Sequence, residues 1–202
     1  MAAAIDELLA EHRVIEGVLG SLETFLASLG EHPERERGAI RDYARVFLGL
    51  DTCHHGKEEH YLFAKMSAYG FSRNGGPVSA MLSEQGEGRD HLDALAAIGK
   101  GVGPLTAEEI EIVNGHALGY ILRIRPHMKR EEDILFPIIL HSLPEFVLDE
   151  LARDFADFEK NGLPAGFLEE IRGISHNLIK AYPPGSGSYL RPGRVEHSPR
   201  TE

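Results

Sequence analysis

The sequence predicts an all-α protein, an up-down antiparallel four-helix bundle with additional C-terminal helices. Three observations carry this. Apolar residues recur at helical spacing over long windows, no long stretch alternates with period two, and only short breaks separate the periodic stretches. With 202 residues, 42% of them apolar and 26% charged, the chain suits one well-covered core of ordinary globular composition.

Each element has its own signal. Residues 5–26 set Ile5, Leu8, His12, Ile15, Leu19, Leu22 and Leu26 on one stripe, and "GEHP" (30–33) ends it. A second helix is expected over about 34–69, with Phe47, Leu50, His54, Glu58 and Leu62 along one face. "GFSRNGGP" (70–77) is the strongest loop signal, and a third helix follows over 78–98 with Val78, Met81, Gln85 and Leu92 inward. After "GKGVGP" (99–104), Thr106 and Glu109 have capping-box spacing and open a fourth helix to about residue 140. Tyr120, Ile124, His127, Glu131, Leu135 and Ile138 line up along it, and Pro126 predicts a kink near His127. "EFVLDELARDFADFEK" (145–160) and "AGFLEEIRGISHNLIKAY" (165–182) are two further amphipathic helices, and the last stretch has tail composition. The expected organisation is a bundle with a fifth helix over 1–160, then a C-terminal helix and tail over 161–202, packed on the bundle or extending from it.

Composition narrows the function. A net charge of −11 argues against nucleic acid and anionic membrane surfaces as partners. No apolar run approaches the roughly 20 residues that span a bilayer, and "MAAAIDELLAEH" lacks the features of a signal peptide. Cys53 is alone, so no intrachain disulfide forms, and the chain reads as cytoplasmic. A homo-oligomer stays open.

The halves repeat. Sliding the chain so that His54 falls on His127 lays "HHGKEEHYLF" (54–63) on "HMKREEDILF" (127–136), and so matches Glu58 to Glu131 and Glu59 to Glu132. A histidine and a glutamate four residues apart share one helix face, so both can reach one ion. Alone the pattern means little, since six such spacings occur here and most are solvated pairs. The pairs 54/58 and 127/131 differ because both continue apolar stripes, and two buried carboxylates demand a counter-charge. Lys57, Lys129 and Arg130 sit off those stripes, so a metal ion is the economical answer. His12, mid-stripe in the first helix, joins as a third contributor, with Glu16 one turn on to orient it. His55, Glu59 and His60 read as the wet side of the second helix, and His91, His141, His176 and His197 as surface residues. Tyr61 and Tyr120 lie near the site's turns, and Arg89 has a core carboxylate or snorkelling open to it. Cys53 reads as a small packing residue. No histidine has a glutamate three residues before it, which excludes the Glu-x-x-His di-iron pattern.

These motifs resemble the hemerythrin-like, or HHE cation-binding, family over about residues 5–160. The likeness rests on Glu11-His12, "HHGKEE" followed by "LF", "GPVSAMLSEQGEGR" and "HMKREEDILFP". It implies a bundle holding two non-haem irons, bridged by an oxo or hydroxo group and carboxylates, with His12, His54, Glu58, His127 and Glu131 as ligands. Manganese and zinc are the lesser alternatives for such mixed donors. Where the family usually has a third-helix histidine this chain has Gln85, a weaker neutral donor, so the choice between one and two metals stays open. Tyr120 is a candidate for lining the site. The implied role is binding or sensing of dioxygen, nitric oxide, peroxide or iron. An oxidant-consuming enzyme at the same iron, and a metal-free interaction bundle, remain the alternatives.

Overall fold

The computed structural model describes residues 2–185. Residues 186–202, which carry the tail composition and His197, lie outside the described residues. We number six helices: α1 (Ala3–Ala27), α2 (33–68), α3 (Gly76–Gly99), α4 (107–142), α5 (145–162) and α6 (Phe167–Ala181), with no strand among the described residues. The backbone ladder of α2 widens to i→i+5 turns at Asp51–His55 and Glu58–Leu62, and that of α4 does so at Glu131–Leu135. These stretches carry His54, His55, Glu58 and Glu131, whereas His12 and His127 lie in regular α-helix and a further widened turn, Phe158–Gly162, ends α5. Helix α4 opens as the spacing predicts: Thr106 accepts from the Glu109 backbone N–H, and the Glu109 carboxylate accepts from that of Thr106. It runs unbroken through Pro126, and its change of ladder begins at Glu131.

Two apolar clusters show how the helices run. One holds Ile15, Leu22, Phe47, Leu92, Leu95 and Ile121; the other holds Ile5, Leu8, Leu62, Met81, Leu135 and Ile139. Along the chain, α1 and α3 pass from the second cluster to the first, whereas α2 and α4 pass from the first to the second. That is up-down-up-down topology, and in all four helices the site residues fall between the clusters. A polar layer therefore crosses the bundle between two greasy ends. Helix α5 covers one end with Val147, Leu151 and Phe155, while α6 covers the other with Ile171 and Leu178. The α2/α3 approach is close: a Cβ at Gly99 would lie 2.9 Å from the Arg41 Cα, so only glycine fits there.

Candidate metal centre

The polar layer contains His12, His54, His55, Glu58, Gln85, His127 and Glu131, each buried to within a few percent. All five ligands expected from the sequence converge here, together with Gln85. Tyr120 packs beside the layer, its ring centroid 4.9 Å from Phe47, in the apolar cluster below.

Two expectations need correction. His55 is not on the wet side but 4% exposed inside the layer, its ring centroid 5.3 Å from that of His54 and 5.4 Å from that of His127. At about 100° per residue an α-helix would turn it away from His54. The i→i+5 turn over Asp51–His55 adds a residue to that turn and brings both imidazoles inward. His12 is oriented not by Glu16 but from across the bundle by Glu132, whose Oε1 lies 2.8 Å from Nδ1; Glu16 pairs instead with Arg125.

One arrangement repeats at all four imidazoles. Nδ1 faces a carboxylate on the outer side: Glu132 at 2.8 Å from His12, Glu11 at 2.8 Å from His54, Asp51 at 2.6 Å from His55 and Glu84 at 2.9 Å from His127. A carboxylate accepts, so each Nδ1 carries a proton and Nε2 points to the interior, where a cation would take its lone pair in place of the second proton that His12 and His127 favour without metal. Cations back three of these carboxylates. Lys57 donates to Glu11 at 2.6 Å, Arg89 to Asp51 at 2.7 Å, and Arg130 pairs with Glu84 at 2.6 Å. Lys57, although off the stripe, is completely buried, where Glu7 on α1 and Glu159 on α5 also hold it.

Inside the layer the groups crowd without satisfying one another. The Nε2 atoms of His12 and His54 lie 3.1 Å apart, and Glu131 approaches His12 Nε2 at 3.3 Å and His127 Nε2 at 3.1 Å. The Gln85 amide donates to Glu58 Oε2 at 2.7 Å. Burial pushes His54 down to about 4 despite Glu11; burial also opposes charge on His12, but Glu131 and Glu132 raise it to about 9. His12 is therefore the natural donor to His54. Burial, reinforced by Glu131, pushes Glu58 well above the usual carboxylate range. Burial pushes Glu131 in the same direction, but His127 and His12 outweigh it and hold the group well below that range.

Eight buried side-chain polar atoms have no hydrogen-bond partner among the described residues. Six of them are in this layer: His55 Nε2, His127 Nε2, Glu58 Oε1, Gln85 Oε1 and both Glu131 oxygens. Buried polar atoms are normally paired, so orphans converging from three helices are what a cation would satisfy. Ligand atoms of His12, His54 and Glu131, of His54, His55 and Glu58, and of Glu58, His127 and Glu131 lie within 4.8 Å of one another in each group. Imidazole and carboxylate donors of this kind suit iron, manganese or zinc.

A groove of about 690 Å3 reaches this layer between α1 and α4, walled by His12, Leu118, Ile121, Leu122, Met128 and Glu132. No helix among the described residues is long and apolar enough to cross a membrane.

Residues 3–139 match the hemerythrin HHE cation-binding domain. Uncharacterized proteins of Mycobacterium tuberculosis and Mycobacterium bovis are 22% identical over 180 residues, covering 87% of this chain and 70% of each relative. No solved structure matches the chain.

Proposed function

This chain belongs to the hemerythrin HHE cation-binding family, and from that premise we propose that its polar layer binds non-haem iron and uses it to bind or sense a small oxidant. The observation that carries the reading is the set of orphaned ligand atoms in the layer, each imidazole presented by an outer carboxylate. His12, His54, Glu58, His127 and Glu131 would hold the iron. When bound, iron supplies an open coordination position and the redox electron for dioxygen, nitric oxide or peroxide.

The chain's own groups do the rest. The outer carboxylates fix each ring with Nε2 inward, and the apolar clusters above and below keep bulk water from the layer. Without metal Glu58 favours its proton and Glu131 its charge, and both would hold iron as carboxylates, so loading releases the Glu58 proton. The groove that reaches His12, with Leu118, Ile121, Leu122 and Met128 on its wall and Arg13, Glu16, Arg125 and Lys129 around them, is the approach to the layer for a small molecule.

The test is metal analysis of protein purified from iron-supplemented cells. Near-stoichiometric iron, lost in His54→Ala, is expected. Protein free of iron, manganese and zinc would sink the reading. Exposure of the iron-loaded protein to each oxidant, followed by absorption spectroscopy, then identifies the ligand.

A further inference from the structure

We propose that His55 is a metal ligand, supplying the second metal position with the imidazole that Gln85 withholds. The inference rests on the metal reading above and concerns how many ions the layer holds.

Its basis is the symmetry of the two helix pairs. The shift that lays His54 on His127 also lays Glu11-His12 on Glu84-Gln85. Glu11 and Glu84 do the same work, each accepting from the histidine of its own half at 2.8 and 2.9 Å. His12 is held by Glu132, so an imidazole at position 85 would be held by Glu59, the counterpart of Glu132 in the first half. Position 85 is instead an amide that donates to Glu58, and Glu59 pairs with Arg89. Taken alone, the symmetric set gives one end of the layer two imidazoles, His12 and His54, and the other end His127 only.

His55 restores the balance. It stands between His54 and His127, with a nitrogen within 4.8 Å of ligand atoms on His54 and Glu58. Asp51 holds its Nδ1, and Asp51 is itself held by Arg89, so the ring has the same backing as His54 and His127. Its Nε2 is buried without a hydrogen-bond partner among the described residues. Burial against Asp51 alone accounts for one nitrogen of the ring and leaves the other unexplained; a cation beside Glu58, within reach of the His54, His55 and Glu58 ligand atoms, accounts for both. The second half marks the difference, having Ile124 and Met128 where the first has Asp51 and His55. The donor set would then be four imidazoles, His12, His54, His55 and His127, and two carboxylates, Glu58 and Glu131, with His55 entering it beside His54 and Glu58.

Anaerobic loading of the metal-free full-length chain with Fe(II), followed by metal quantification, tests this, with Co(II) absorption as a parallel count. Two equivalents are expected in the wild type, one in His55→Leu, and two again in the His55→Leu/Gln85→His double variant. His55→Met, which copies Met128 of the other half, is expected to match His55→Leu and serves if leucine disturbs folding, as judged by far-UV circular dichroism. Gln85→Ala is expected to keep two. Two equivalents in His55→Leu overturn the inference, as does a wild type that saturates at one. A wild type that takes up no metal overturns the metal reading itself.

Discussion

In α1 and α2, Glu11 takes a hydrogen bond from His54 and another from Lys57; at the matching positions of α3 and α4, Glu84 takes them from His127 and Arg130. The frame is duplicated, but its two copies differ in depth. Lys57 is fully buried and shared with α5 through Glu159, whereas Arg130 is 41% exposed. The first half adds Asp51 and His55 to the layer, while the second has apolar Ile124 and Met128 there and Gln85 where the first has His12. Duplication supplied two equivalent His/Glu pairs. The differences around them decide how firmly each is held and what else joins.

The largest expected effect separates the two glutamates. Free metal at about 1,000 times its Kd should stabilise the wild type by about 4 kcal/mol for each site filled, and neither Glu58→Gln nor Glu131→Gln should show this gain in thermal unfolding. Without metal the two should part. Glutamine has the shape of a protonated glutamate, and Glu58 already favours its proton, so Glu58→Gln should melt at or above the wild type. Glu131 is an ionised partner of His12 and His127, so Glu131→Gln should melt lower. Equal metal-free melting of the two variants would break the asymmetry.

Next come the cations. Lys57→Met leaves Glu7, Glu11 and Glu159 facing one another without a counter-charge, a loss of about 3 kcal/mol by denaturant unfolding, at the low end for broken buried pairs because those carboxylates touch solvent. Arg130→Met removes a half-exposed partner and should cost no more than about 1 kcal/mol. Similar losses in both would show that the depth difference has no energetic consequence.

Smaller effects are expected one shell out from the metal. Glu11→Gln and Glu84→Gln should each weaken metal binding by about 10- to 100-fold, because each carboxylate fixes a ring and raises its basicity. Glu132→Gln should weaken it less, since Glu132 is 44% exposed and water can replace it at His12. Competition with a chromogenic chelator measures all three, and a Glu132 effect as large as the others would remove the distinction.

The sequence makes the duplicated part legible and hides the rest. His54, Glu58, His127 and Glu131 are readable because each pair continues an apolar stripe and each has a counterpart in the other half. The helix order is readable for the same reason. His55 is misread because a fixed rotation per residue turns it outward, and nothing in "DTCHH" announces a widened turn. One signal was available: the repeat aligns His55 with Met128, an apolar residue of a core-facing helix, and so places position 55 inside. Lys57 and Glu132 escape because their partners lie on other helices, and Glu16 misleads because proximity along one helix says nothing about a carboxylate reaching from across the bundle.

The smallest effect lies at the far end of the bundle, where α2 of the first half grips the α3–α4 connection of the second. Arg37 near the start of α2 reaches the connection into α4, donating to the carbonyls of Ile98, Gly103 and Pro104 and pairing with Glu109 at 2.8 Å. The Arg37 hydrogen bonds, with that of the Thr106 N–H, hold Glu109 down to about 2. A carboxyl group whose folded value is depressed contributes stability that is fully present above its unfolded value, near 4.5, and is lost as pH falls toward 2. Glu109→Gln keeps the shape and removes the titration. The stability difference between wild type and variant should therefore be constant above about pH 5 and shrink steadily below it. Urea unfolding at stepped pH measures this, and a difference that stays constant down to pH 3 would show that Arg37 is held by the three carbonyls alone. The metal layer is distant from this joint, so the same substitution should leave metal stoichiometry unchanged, which separates what ties the halves together from what they hold between them.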